Sequence, residues 1–247
     1  MFRTISTSMW INFRNLRFYL LHYLMLVIIF PVSYLLISLT SNGGIRDAGT
    51  YSTGLFTSML LSLFINMEAS MIAQSSSVTA FEQYAVFRVR PLFVHMGGCL
   101  YHASLSLPFL ALLITLNLVT GNGVDVLLLV VSLVTAVLFL AALSMVLGGL
   151  FRNPNIASPV INMIHMIIMM ITPFYGDYGK AWQVMRLLCS FNPFAHVVSL
   201  IAGSFGKEML TSPFISAGVL VSLSAVLFIL AAKRWYRCTA PEKLGLF

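Results

Sequence analysis

Residues 124–150 read VDVLLLVVSLVTAVLFLAALSMVLGGL, an unbroken apolar run whose one formal charge, Asp125, stands at its second position. At about 1.5 Å of rise per residue, a helix of this length crosses the roughly 30 Å hydrocarbon core of a bilayer. The rest of the chain has the same character. Of 247 residues, 59% are hydrophobic and 9% charged, against about 25% charged in an ordinary soluble domain. A soluble globule of this size has too little interior to hide so much apolar surface. The sequence therefore predicts an all-α polytopic membrane protein.

Working outward from that run gives six expected spans: Leu20–Leu39, Leu55–Val78, Leu92–Val119, Val124–Leu150, Ile156–Ile171 and Pro213–Ala232. Turn-forming stretches separate several of them: SNGGIRDAGT at 41–50, TGNGVD at 120–125 and FRNPN at 151–155. Ten of the fourteen Lys and Arg residues fall on the side of the N-terminus. The bias toward basic cytoplasmic loops then puts both termini in the cytoplasm of a cell membrane, bacterial by expectation. The net charge of +7 sits at the ends of apolar runs rather than in one patch, so nucleic acid is not an expected partner. No cleavable signal is expected, because no small-residue cleavage site follows the first apolar run.

Residues 181–203, AWQVMRLLCSFNPFAHVVSLIAG, could make a seventh span, but they carry Arg186, Asn192, Pro193 and His196. Counting them would move Lys233, Arg234, Arg237 and Lys243 outside. They are read instead as two short helices broken at Asn192–Pro193, part of a re-entrant external hairpin over about 173–211 that protein or water must cover. Residues 1–19 place Phe2, Ile5, Met9, Phe13 and Leu16 at helical spacing, with Arg3, Thr7, Arg14 and Arg17 off that stripe and Trp10 among them. They predict a cytoplasmic interfacial amphipathic helix; a basic tail that only sets topology is the alternative. Residues 20–247 form the transmembrane domain.

Between the second and third expected spans lies FEQYAVFRVRP, residues 81–91, with Glu82, Arg88 and Arg90 in an otherwise apolar neighbourhood. Phe81, Tyr84 and Phe87 recur every three residues, as on a short helix offering aromatic anchors to a soluble partner. Arg88 and Arg90 serve equally well as topology determinants.

At this point the chain resembles the membrane subunits of type-2 ABC exporters over nearly its whole length. The resemblance rests on the N-terminal helix, the six spans, and an acid followed by a proline in the loop at about 79–91 (Glu82 and Pro91). It rests also on a proline-opened external hairpin, TPFYGDYGKAW from Thr172 with Pro173, ending in Asn192, Pro193 and Phe194. Many relatives carry a Glu-Arg-Glu-x-Gly-Thr-like run in that loop, and this chain has neither the Gly-Thr nor the second acid. The resemblance implies that the loop with Glu82, Gln83, Tyr84, Phe87, Arg88 and Arg90 is a coupling helix docking in an ABC ATPase subunit. It further implies a second permease copy or a paralogous permease as partner. No G-x-x-x-x-G-K-[ST] run is present, so ATP and Mg are expected only through the partner ATPase, and this chain is expected to bind no cofactor itself.

Within the spans, Glu68 is the one acid far from a membrane edge. Inserting a carboxylate there costs about 2.5–3.5 kcal/mol, which points either to a pathway-lining or proton-linked group or to an interhelical hydrogen-bond lock. His95 and His102 lie seven apart on one helical face, without enough converging ligands to predict a metal. They read as packing residues. Met59, Met67 and Met71, with Met163, Met166, Met169 and Met170, suggest adaptable apolar surfaces; Met67, Met71, Met163 and Met166 are pathway candidates, with ordinary packing as the alternative. No membrane-enzyme motif is present. The leading expectation is an ATP-driven exporter of a hydrophobic or amphipathic cargo: a peptide, antibiotic or lipid-like compound. A proton-coupled carrier using Glu68 and a histidine, and a glycan-exporting or immunity-type ABC permease, are the alternatives.

Overall fold

A computed structural model describes residues 2–24, 44–75, 90–151, 153–174 and 183–238. All regular structure among them is helical: α1 (Phe2–Leu24), α2 (Gly44–Leu61), a π-helical segment (Ser62–Glu68), α3 (Ala69–Gln74), α4 (Pro91–Leu105), α5 (Leu107–Val119), α6 (Val126–Leu150), α7 (Pro154–Ile171), α8 (Gln183–Ser190), α9 (Pro193–Gly203) and α10 (Pro213–Cys238).

Four stretches are long and apolar enough to cross a membrane: Tyr51–Gln74, Pro91–Val119, Val126–Leu150 and Pro213–Trp235. Two expected spans remain outside this set. Leu20–Leu39 lies largely outside the described residues, and the apolar helix over Asn155–Ile171 is shorter than the others. The first crossing stretch is the centre of the molecule. Its window is 72% buried, against 17% for that of α10. Phe56, Met59, Leu60, Leu61, Phe64 and Ile65 are almost wholly enclosed by α5, α6, α7 and α9.

Local chemistry sets the helix ends. Asp125 accepts from the Leu128 amide at 3.0 Å, Asn153 from the Asn155 amide and Asn192 from the Phe194 amide, each satisfying an orphan donor at a helix start. Proline at the first position of α4, α7 and α9 fits the same logic. The third expected span is interrupted at Ser106. Pro108 has no amide proton and its ring crowds the carbonyl four residues back, so α4 ends and α5 begins there. At the far end of α6, Arg234 of α10 donates to the carbonyls of Gly149 and Leu150, the latter at 3.0 Å.

The helices pack closely where glycine permits it. A Cβ on Gly148 of α6 would lie 2.6 Å from the Ala69 carbonyl oxygen of α3, and one on Gly97 of α4 would lie 2.6 Å from the Ile5 carbonyl oxygen of α1. Backbone cannot yield as a flexible side chain does, so even a methyl group is excluded. We expect Gly148→Ala to cost about 1–3 kcal/mol through overpacking, seen as a lower unfolding midpoint in mild detergent. Gly218→Ala, whose added Cβ meets nothing within 4 Å, should leave the midpoint unchanged.

Candidate functional site

The π-helical segment ends on Glu68. A π turn holds an extra residue, which rotates the side chains beyond it by about 100° relative to a regular helix. Here the carboxylate ends up facing α4, where it is 2% exposed. Space for it exists because residue 98 is glycine: a Cβ there would stand 2.6 Å from Glu68 Oε1.

Two side chains meet the acid, and a third extends the contact. His102 Nδ1 lies 2.7 Å from Glu68 Oε2 and 3.1 Å from the Gly98 carbonyl oxygen. Since a carbonyl only accepts, the geometry favours a proton on Nδ1. The Cys99 thiol donates toward Glu68 Oε1 at 3.8 Å and has Ser144 Oγ of α6 at 4.0 Å. His102 is fully buried, and its Nε2 has no hydrogen-bond partner among the described residues. The cluster can hold a proton between an acid and an imidazole in a dry interior, and it ties three spanning segments together.

Glu68 also lines an open cavity of about 600 Å³ bordered by α1, α3 and the first turns of α4. Arg3, Thr4, Thr7 and Asn12 contribute polar groups, and Ile11, Met71, Ile72 and Val94 the apolar wall. Helix α1 is seated on α4 by the Ser8 hydroxyl, which donates to the Val94 carbonyl at 2.8 Å, and by Phe13 edge-on against Tyr101 with ring centres 5.0 Å apart. Of its expected apolar stripe, Ile5 is buried and Met9 and Leu16 pack against the core, while Phe2 and Phe13 are exposed.

The other expected site residues are dispersed. Met67 packs against the core, and Met163 and Met166 lie on the exposed side of α7. Glu82, Gln83, Tyr84, Phe87 and Arg88 fall outside the described residues. Arg90 is exposed immediately before Pro91 and α4. Residues 183–203 form two helices that meet at Phe191–Asn192, as expected. Asn192 Nδ2 lies 3.3 Å from Thr172 Oγ1, fastening the start of α9 to the end of α7 beside Pro173, and Pro193 opens α9. His95 packs at 4.4 Å against the Trp235 ring of α10. His196 sits between Ser216 Oγ at 3.0 Å and the Ser190 carbonyl at 2.9 Å. No three His, Cys, Asp or Glu side chains among the described residues could together hold a metal ion.

Sequence reasoning singled out Glu68 but missed its partners. In the sequence Gly98 carries only the general mark of a residue that permits close helix approach, and Cys99 and Ser144 carry no signal alone. Residues 68 and 102 are brought together by helix packing, which one sequence does not state. No protein-family model matches the chain, and no curated protein is significantly similar to it.

Removing one member of a buried polar pair leaves the other unsatisfied, at a cost of about 1–3 kcal/mol or more. Glu68→Ala alone should therefore destabilise the protein strongly. Glu68→Met combined with His102→Leu should recover most of the loss, and thermal unfolding of the singles and the double in one detergent checks this.

Proposed function

We propose that this chain is the permease subunit of an ATP-driven type-2 ABC exporter. A separate ATPase drives it, and it works beside a second copy or a paralogous permease in a cell membrane, with both termini cytoplasmic. The cargo is hydrophobic or amphipathic. This reading keeps the six spans expected from the sequence, four of which correspond to the long apolar helical stretches, and takes α8 and α9 as the helices of the expected external hairpin.

The observation that carries this reading is the seating of α1 on α4. The stretch 81–91 leads through Pro91 directly into α4, and α4 is joined to α1 through Ser8 and Gly97. A push on that loop would move α1 and α4 as one body, because packed backbones at this distance do not slide independently. The same helix carries Gly98, Cys99 and His102 around Glu68, so motion at the loop reaches the polar cluster within about three helical turns. ATP-driven closure of two ATPase subunits would bring two such loops together and rock the membrane halves about their contact.

The Glu68–His102 pair favours one second reading, a proton-coupled carrier. That carrier would need no ATPase and would lose its dependence on a pH gradient in Glu68→Gln.

The test of the leading reading is the loop itself. Glu82→Arg combined with Tyr84→Ala should lower co-purification of a nucleotide-hydrolysing partner from native membranes by more than about tenfold, as loss of an interface anchor does. Partner binding and transport that survive both changes would contradict the coupling role.

A further inference from the structure

We propose that the cavity between α1, α3 and α4 is a binding site for an amphiphilic amine, its ammonium received by Glu68 and its apolar body lying on Ile11, Met71, Ile72 and Val94. This names a ligand class for the permease proposed above, yet binding needs only this chain, so the two readings fail separately.

Size comes first. A volume of about 600 Å³ lies in the range of pockets that enclose one small organic ligand, about 300–1,000 Å³. The lining is divided in the way such a molecule is divided. Four aliphatic or thioether side chains form one wall, and Met71 can adapt its shape to different apolar bodies. Thr4, Thr7 and Asn12 supply hydroxyl and amide groups on the α1 side. Ser8 and Ser75 also line the cavity, but their hydroxyls already donate to the carbonyls of Val94 and Ile72.

The sign of the ligand's charge follows from Glu68. Among the described residues it is the only acid on the wall, its near polar neighbours are His102 and the Cys99 thiol, and no Lys or Arg pairs with it. A buried carboxylate held by one imidazole keeps capacity for further donors, since an ionised carboxylate accepts at about four sites. An ammonium supplies up to three donors and a full charge. The missing side chain at Gly98 leaves room beside the carboxylate, and Gly98 itself lines the cavity.

Among the described lining residues Arg3 carries the opposing charge, and it is exposed to solvent. Solvent and salt weaken its repulsion there far more than they weaken an interaction at a buried acid. His95 also lines the cavity, with its ring against Trp235.

The experiment uses the full chain in phosphatidylcholine nanodiscs, titrated with a dansyl-tagged alkylamine and with its alcohol analogue of equal chain length. We expect saturable binding of the amine, at least about tenfold tighter than the alcohol, as one charge-assisted hydrogen bond gives. Glu68→Gln should remove that preference and leave the weaker, apolar part of the binding. Met71→Trp, which places a bulkier side chain in the cavity one helical turn from Glu68, should abolish saturable binding of both probes. Equal affinity for amine and alcohol in the unmodified chain would overturn the proposal. So would unchanged amine binding in Met71→Trp, which carries the test even where Glu68→Gln does not fold. Saturable amine binding by a chain that recruits no ATPase would uphold this site and remove the permease reading.

Discussion

An acid that is 2% exposed in a membrane-spanning segment has to be answered from inside the protein, and much of this architecture can be read as that answer. The π-helical turn rotates Glu68 toward α4. Glycine at 98 leaves the volume for the carboxylate, and His102, one helical turn further along α4, comes within 2.7 Å of it. Cys99 and Ser144 extend the polar contact to α6. Remove any one of these and the insertion cost of the acid returns without compensation. The pair does more to fix which helices are neighbours than to raise stability, since a buried ion pair often gains little over well-packed apolar side chains. It specifies the register of α3 and α4, a distinction that apolar packing alone leaves loosely determined.

The same constraint links the interior to the surface. Helix α4 begins at Pro91, directly after the charged stretch at 81–90, and carries on successive turns the seat for α1 and then the partners of Glu68. Glycines sit at both crossings: Gly97 against α1 and Gly98 against Glu68. Side chains elsewhere in the interface could adjust to a displacement by changing rotamer, but contacts of backbone on backbone cannot. This makes α4 a stiff lever, and it puts the cavity lined by Glu68 where motion of that lever would change its shape.

Much of the fold was legible in the sequence, and the reasons are local. The run at 124–150 is long and apolar enough to cross a membrane and forms one helix over Val126–Leu150, and Asp125, Asn153 and Asn192 each mark a helix start because a short polar side chain there satisfies an orphan amide. The break at Asn192–Pro193 was legible for the same reason. The break at Ser106 was not taken from the sequence, although Pro108 was in view, because apolar composition runs through it undisturbed. The π turn has no local signature at all. In α1, Ile5, Met9 and Leu16 of the expected stripe pack against the rest of the protein, but Phe2 and Phe13 are exposed while Ser8 is buried. Contact with α4 is set by how close Gly97 lets the backbones come rather than by hydrophobicity. Glu68 was conspicuous as an acid among apolar residues; its partnership with His102 was invisible, because it depends on which helices become neighbours.

The proposed function rests first on a partner that hydrolyses ATP. The most direct measurement is native mass spectrometry of the tagged chain released from its own membrane in mild detergent. We expect a complex of two permease chains, identical or paralogous, with two ATPase subunits. The chain emerging alone, or paired only with itself across several release conditions, would contradict the exporter reading and shift the weight to the Glu68–His102 pair as the seat of proton-driven transport.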